Sequence, residues 1–152
     1  MFLLQRKAKM QDSHGNTPLH KATWNGPSEY SDPYSHSEAA AARQTVEDLL
    51  NAGVDVNAAN IYGQTALHKT AQLAKPHLSA LLLEGGACVT ITDKWGNTPL
   101  HETTSLDDEK TARLLLESKD TRDVRNAHGM TPLDVANKTG STKVKRLLLS
   151  YA

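Results

Sequence analysis

The chain has 152 residues, 38% of them hydrophobic, and its 17 basic and 17 acidic side chains cancel. That length suits one domain with a buried core, and a zero net charge gives no general pull toward nucleic acid or an anionic membrane. The single cysteine, Cys88, excludes an internal disulfide, and no apolar run approaches the roughly eighteen residues of a membrane-spanning helix.

In chain order, the N-terminal stretch MFLLQRKAKM has three consecutive apolar residues after its methionine. Three are too few for the apolar core of a signal peptide, so the expected home is the reducing cytosol or nucleus. Residues 1–11 are expected to be a capping segment, with Phe2, Leu3 and Leu4 as the remnant of a helix that either covers the start of the domain or is cut from a longer array. Next come four segments that align without gaps: DSHGNTPLH (12–20), NIYGQTALH (60–68), DKWGNTPLH (93–101) and NAHGMTPLD (126–134). Their glycines, Gly15, Gly63, Gly96 and Gly129, are spaced by 48, 33 and 33 residues, so the first unit carries fifteen extra. Each unit continues into a leucine-rich run: VEDLLNAG, LSALLLEGG, TARLLLES and VKRLLLS. The units are 12–59, 60–92, 93–125 and 126–152.

Each part of a unit has a physical reading. In T-[PA]-L-[HD] the threonine can cap a helix start, and proline at the first helical position loses nothing by lacking an N–H. The leucine runs predict a second helix, ending at Gly53 and at Gly85-Gly86, where a left-handed C-cap suits glycine. Asp12, Asn60, Asp93 and Asn126, three residues before the glycines, supply turn chemistry for a short hairpin between units. The extra residues, 27–41, begin as a Ser/Pro/Tyr-rich loop and pass into EAAAARQTVEDLL, a helix former with Ser37 as N-cap. Lengthening a surface loop costs only about 1 kcal/mol in closure entropy. The insertion is then either a tolerated surface loop or a second contact site anchored by Tyr30 and Tyr34. One unit cannot bury its own apolar face, but stacked units make a continuous core.

The D-x-x-G-x-T-P-L-H pattern, with A-x-x-x-G following in units one and four and L-L-x-x-G-x-x-V in unit one, resembles the ankyrin repeat over residues 12–149. The resemblance implies an all-α solenoid of stacked helix-turn-helix units with short β-hairpin fingers, filling residues 12–152. It implies a non-catalytic role in binding proteins, and structural duty for His20, His68 and His101, each bonding to backbone and the nearby threonine. Asn57, in LLNAGVDVN, resembles the target of an asparagine hydroxylase. Three departures stand out: Ala66 for proline, Asp134 for histidine, and Lys119 for the C-capping glycine. A left-handed lysine would cost about 1 kcal/mol, so the turn after the second helix of unit three should be rebuilt. Lys143, Lys145 and Arg146 dilute the last apolar pattern, as a unit with one face in water requires.

Equivalent positions across units nominate a surface. The residues before the glycines, His14, Tyr62, Trp95 and His128, form a ladder on the fingers, with successive rings expected about 10 Å apart by analogy with helix packing. Flanking them are Ser13, Ile61, Lys94 and Ala127, then Asn16, Gln64, Asn97 and Met130. The first helices contribute Trp24-Asn25, Gln72-Leu73, Ser105-Leu106 and Lys138-Thr139. By resemblance these face the concave side. Trp24, Ile61, Tyr62, Gln64, Leu73, Lys94, Trp95, Asn97, Leu106, His128 and Met130 are therefore the candidate protein-binding residues, with both tryptophans and Tyr62 as anchors. A competing reading has Tyr62 or Trp95 simply packing on the adjacent finger.

No motif points to catalysis, cofactor or metal. HETTS at His101 lacks a second histidine, and there is neither a phosphate loop nor a G-x-S-x-G elbow. Arg6, Lys7 and Lys9 lie at the opposite end from Lys143, Lys145 and Arg146, so neither nucleic acid nor membrane is an expected partner. The expected protein is a monomeric adaptor or scaffold without cofactor. The alternative is a stoichiometric inhibitor of a partner enzyme such as a kinase, and a hydrolase or nucleic-acid binder has less support.

Overall fold

The computed structural model describes residues 10–24 and 36–151. Residues 1–9 and 25–35, which include Asn25, Tyr30, Tyr34, Phe2 and most of the insertion, lie outside the described residues, as do the expectations that rest on them. Each unit contributes two helices: α1 (Pro18–Trp24) and α2 (His36–Asn51), α3 (Ala66–Gln72) and α4 (Pro76–Glu84), α5 (Pro99–Glu102) and α6 (Glu109–Ser118), α7 (Pro132–Thr139) and α8 (Thr142–Ser150). Within each unit the two helices pack together. Between units α1 packs on α3, α3 on α5 and α5 on α7, while α2, α4, α6 and α8 pack in the same succession. The result is two parallel layers of helices with one core between them.

The leucine of each T-[PA]-L-[HD] step points into that core: Leu19, Leu67 and Leu100 are buried, and Leu133 packs against the same cluster. Val46, Leu82, Leu115 and Val144 meet them from the second layer and are fully enclosed. Removing one such leucine from water contributes about 2 kcal/mol, and the row recurs in every unit. The helix α2 has 16 residues against 9 or 10 in the other second helices, the elongation that EAAAARQ predicts. It begins at His36, so Ser37 lies inside the helix instead of preceding it. The helix α5 is only one turn long: the Thr103 and Thr104 hydroxyls donate to the carbonyls of Leu100 (2.7 Å) and His101 (2.8 Å), competing with the regular backbone pattern.

The turns settle two expectations. Lys119 sits in extended backbone (φ −161°), so the turn after α6 is rebuilt without a left-handed residue. After α4 the left-handed residue is Gly86, whereas Gly85 has φ −77° and is small for another reason: a Cβ there would lie 2.9 Å from Leu50 Cδ2. Between the helices of units two and three, Ala74 (φ 52°) and Asp107 (φ 53°) occupy the left-handed position that Gly140 takes in unit four. Asp107 offsets its strain with a carboxylate that accepts from the Lys143 (3.1 Å) and Val144 (2.9 Å) amides at the start of α8.

The hairpin fingers are tight turns, and no strand forms among the described residues. Each closes on itself, as in Asp93 N–H to Asn97 C=O (3.0 Å) and Gly96 N–H to Asp93 C=O (2.9 Å). Successive fingers share a single backbone bond: Ile61 N–H to His14 C=O (3.0 Å), Lys94 N–H to Tyr62 C=O (2.9 Å), Ala127 N–H to Trp95 C=O (2.9 Å). One bond per junction is too few for a ladder. It still brings backbones into contact, since a Cβ on Gly96 would stand 2.7 Å from Ala127 N.

Candidate functional site

Two rows of rings run along the stack, and they differ in nearly every respect. The inner row is His20, His68 and His101, all buried. In each, Nδ1 accepts the N–H of the threonine that starts its helix, at 3.1 Å from Thr17, 3.2 Å from Thr65 and 3.1 Å from Thr98. The proton therefore sits on Nε2, which donates forward to the next finger: to Gln64 C=O (2.8 Å), Asn97 C=O (3.0 Å) and Met130 C=O (3.0 Å). Burial holds all three imidazoles below the ordinary histidine pKa. Asp134 keeps the first half of this arrangement, accepting from Thr131 N–H at 2.9 Å, but a carboxylate has nothing to donate forward. Every ring nitrogen of the inner row is thus committed to structure.

The outer row lies on the fingers. His14 and Tyr62 stack with centroids 6.4 Å apart, and Tyr62 and Trp95 with centroids 6.1 Å apart and planes 12° from parallel. This is much closer than the helix-derived spacing, because glycine lets the finger backbones touch. The ladder stops at three rings: no ring contact joins Trp95 to His128 among the described residues. The Lys94 ammonium lies 4.8 Å from the Tyr62 ring and 4.6 Å from the Trp95 ring. Trp95 therefore does pack against its neighbour, and still leaves 42% of its surface exposed. Trp24, at the end of α1, is 56% exposed with Lys69 Nζ 5.4 Å above its ring, and Ile61 and Leu106 are exposed as well.

Other nominated residues are placed differently. Gln64 is buried, its side chain near Asn60 and its carbonyl occupied by His20, so it is not a surface contact. Asn97 is half-buried and internally engaged: its Oδ1 accepts from Asn126 (2.9 Å) and its amide reaches Glu102 (3.4 Å). Leu73 is half-buried at the end of α3. His128, exposed, and Met130, half-buried, line a groove of about 390 Å³ between units three and four, together with Glu102, Ser105, Val135 and Lys138. Asn57 is half-buried with its Oδ1 accepting from Cys88 N–H (2.8 Å), tying two inter-unit turns together.

Sequence reasoning missed a pair of buried acids, Asp93 and Glu102, the second of which lines the groove. The finger residues Asn60 and Asn126 each accept two backbone amides through Oδ1 and donate through Nδ2 to the preceding unit, to Asn16 Oδ1 (3.1 Å) and Asn97 Oδ1 (2.9 Å). Asp93 accepts the same two amides, from Trp95 and Asn97, both at 2.9 Å. It has no N–H to donate, and its Oδ2 is buried without a hydrogen-bond partner. Glu102 lies within hydrogen-bonding reach, and burial followed by the Asp93 charge raises its pKa to about 7. A proton on Glu102 would satisfy that oxygen. The available signal was Asp93 standing among asparagines at an enclosed position.

Among the described residues no helix is long and apolar enough to cross a membrane, and no group of three or more His, Cys, Asp or Glu side chains is arranged to hold a metal ion. A family model described as ankyrin repeats (3 copies) matches residues 37–126 and 78–152. A search of curated proteins finds no match.

Proposed function

Because the chain belongs to the ankyrin-repeat family, whose members are generally protein–protein interaction modules and typically non-enzymatic, we propose that it acts without catalysis, binding a partner protein on the face made by its fingers and first helices, as an adaptor or scaffold. The observation that carries this reading is the set of large apolar side chains left in water on the fingers and at or just after the first helices: Trp24, Ile61, Trp95 and Leu106. Ring and lysine contacts use one face of each tryptophan and leave large apolar area of both, and of Ile61 and Leu106, in water; such side chains set in polar surroundings suit an interface centre. The surface is preformed, since the fingers are bonded to one another and the rings are already stacked, so little entropy is lost on docking.

Trp24→Ala combined with Ile61→Ala is the cleanest test, because neither side chain belongs to the ring stack. Partners captured from native extract should be lost while the melting temperature stays within a few degrees of wild type. Capture that persists in the double variant would refute the reading. Two partners that bind together would mark an adaptor, whereas a captured enzyme that loses turnover on one-to-one mixing would mark an inhibitor.

A further inference from the structure

We propose that the partner of this face is a protein segment bearing carboxylates beside an apolar side chain, the carboxylates meeting Lys69, Lys94 and Lys138. The inference rests on the binding face proposed above and names the chemistry of its occupant.

The repeat register places charges without ambiguity. One row of the first helices is Lys21, Lys69, Glu102 and Val135, and a second is Trp24, Gln72, Ser105 and Lys138. The last two members of each row line the groove, so the same positions in units one and two face the same side. Beside the ring ladder runs the finger row Ser13, Ile61, Lys94 and Ala127. Those three rows hold four lysines and one carboxylate. Lys21 is met by Asp12 at 3.7 Å. The carboxylate, Glu102, is buried, and with its pKa raised to about 7 it carries only part of a charge near neutral pH to set against Lys69.

Lys69, Lys94 and Lys138 have no ion pair within 4 Å among the described residues, whereas Arg43, Arg113, Arg122 and Arg125 each have one. Two of the three lysines are held on aromatic faces, Lys94 between Tyr62 and Trp95, and Lys69 over Trp24. A lysine laid on a ring has already given up part of its rotamer freedom, so a carboxylate that reaches it orders less on binding. Lys69 is half-buried, and desolvation holds its pKa below the ordinary lysine value. An incoming anion would relieve that penalty as well as supply Coulombic attraction. The exposed parts of Trp95 and Ile61 lie alongside Lys94, which is why an apolar group next to the acid is part of the proposal.

The test is selection of a random peptide library on the immobilised protein, with sequencing of the recovered pool. The expected result is enrichment of Asp and Glu adjacent to Leu, Ile, Phe or Trp. A selected peptide should weaken by about tenfold or more on the triple variant Lys69→Ala/Lys94→Ala/Lys138→Ala, a loss that added salt reproduces in wild type. The matching triple lysine-to-arginine variant should restore most of the affinity, and circular dichroism melts check that each variant folds. Peptides without acidic enrichment that are nevertheless lost on Trp95→Ala would overturn the acidic partner and leave the face standing. No selected peptide, or peptides indifferent to both variants, would sink the face and the partner chemistry together. A single-stranded oligonucleotide that binds more tightly than any peptide, and is released by the triple alanine variant, would assign the lysines to nucleic acid and overturn the proposal.

Discussion

The inner histidine row and the outer ring ladder are laid down by the same repeat, yet the first is closed and the second open. His20, His68 and His101 have both ring nitrogens bonded, one within the unit and one to the next. In the ladder, Trp95 has a lysine on its face and still leaves 42% of its surface exposed, as does Trp24 beyond it, with 56%. What separates a structural ring from an available one is whether its bonding capacity is already spent on its neighbours.

The largest way to sharpen this contrast is to delete one ring from each row. His68→Ala should cost about 2–3 kcal/mol, because it leaves the Thr65 N–H and the Asn97 carbonyl buried and unmet. Trp95→Ala should cost about 1 kcal/mol, the worth of one stack and one cation–π contact. Urea midpoints read both, and equal losses would break the distinction.

Next in size is the spacing of the fingers that sets the ladder. Gly96→Ala must place a methyl 2.7 Å from Ala127 N on top of an unfavourable φ of 76°, and should cost about 2 kcal/mol. Gly129 shares the positive φ but has open space around it, so Gly129→Ala should cost only about 1 kcal/mol. In Gly96→Ala, tryptophan fluorescence should also change as the fingers separate. Identical effects of the two substitutions would mean that conformation alone, and not close approach, keeps these positions glycine.

The smallest effect is on pH dependence, where the inner histidines and Glu102 act in opposite directions. The histidines have folded-state pKa values depressed below 6.5, so their stabilisation is full above pH 6.5 and is lost as pH falls toward those lower values. Glu102 runs the other way. Its pKa is raised from 4.5 to about 7, so its contribution is full below pH 4.5 and is lost as pH rises through 7. Between these limits the two oppose, and Glu102→Gln should make stability fall more steeply from pH 7 to pH 5. Carbon-detected NMR of the Glu102 carboxyl should give a midpoint near 7. A midpoint in the ordinary glutamate range would show that Asp93 Oδ2 is satisfied some other way.

Much of this was legible in the residues themselves. The T-[PA]-L-[HD] steps marked α1, α3, α5 and α7, the leucine runs marked their partners, and Lys119 flagged the one turn that is rebuilt. Trp24, Ile61, Trp95 and Leu106, nominated by their place in the repeat together with its family resemblance, are exposed. Gln64 is buried instead, because register does not tell which side of a finger an amide side chain turns to: its Oε1 accepts from Asn60 while its backbone carbonyl accepts from His20.

Local chemistry thus determined the helices, the threonine caps of the first helices and the identity of the repeat, since each depends on residues within a few positions of one another. The tertiary structure decided the rest: the 6 Å stacking of the rings, the lysines laid on them, and the orphaned oxygen of Asp93 beside Glu102. Those features arise between units, where a single glycine sets how closely two backbones approach, and an asparagine or an aspartate at one position decides whether a buried partner finds a proton.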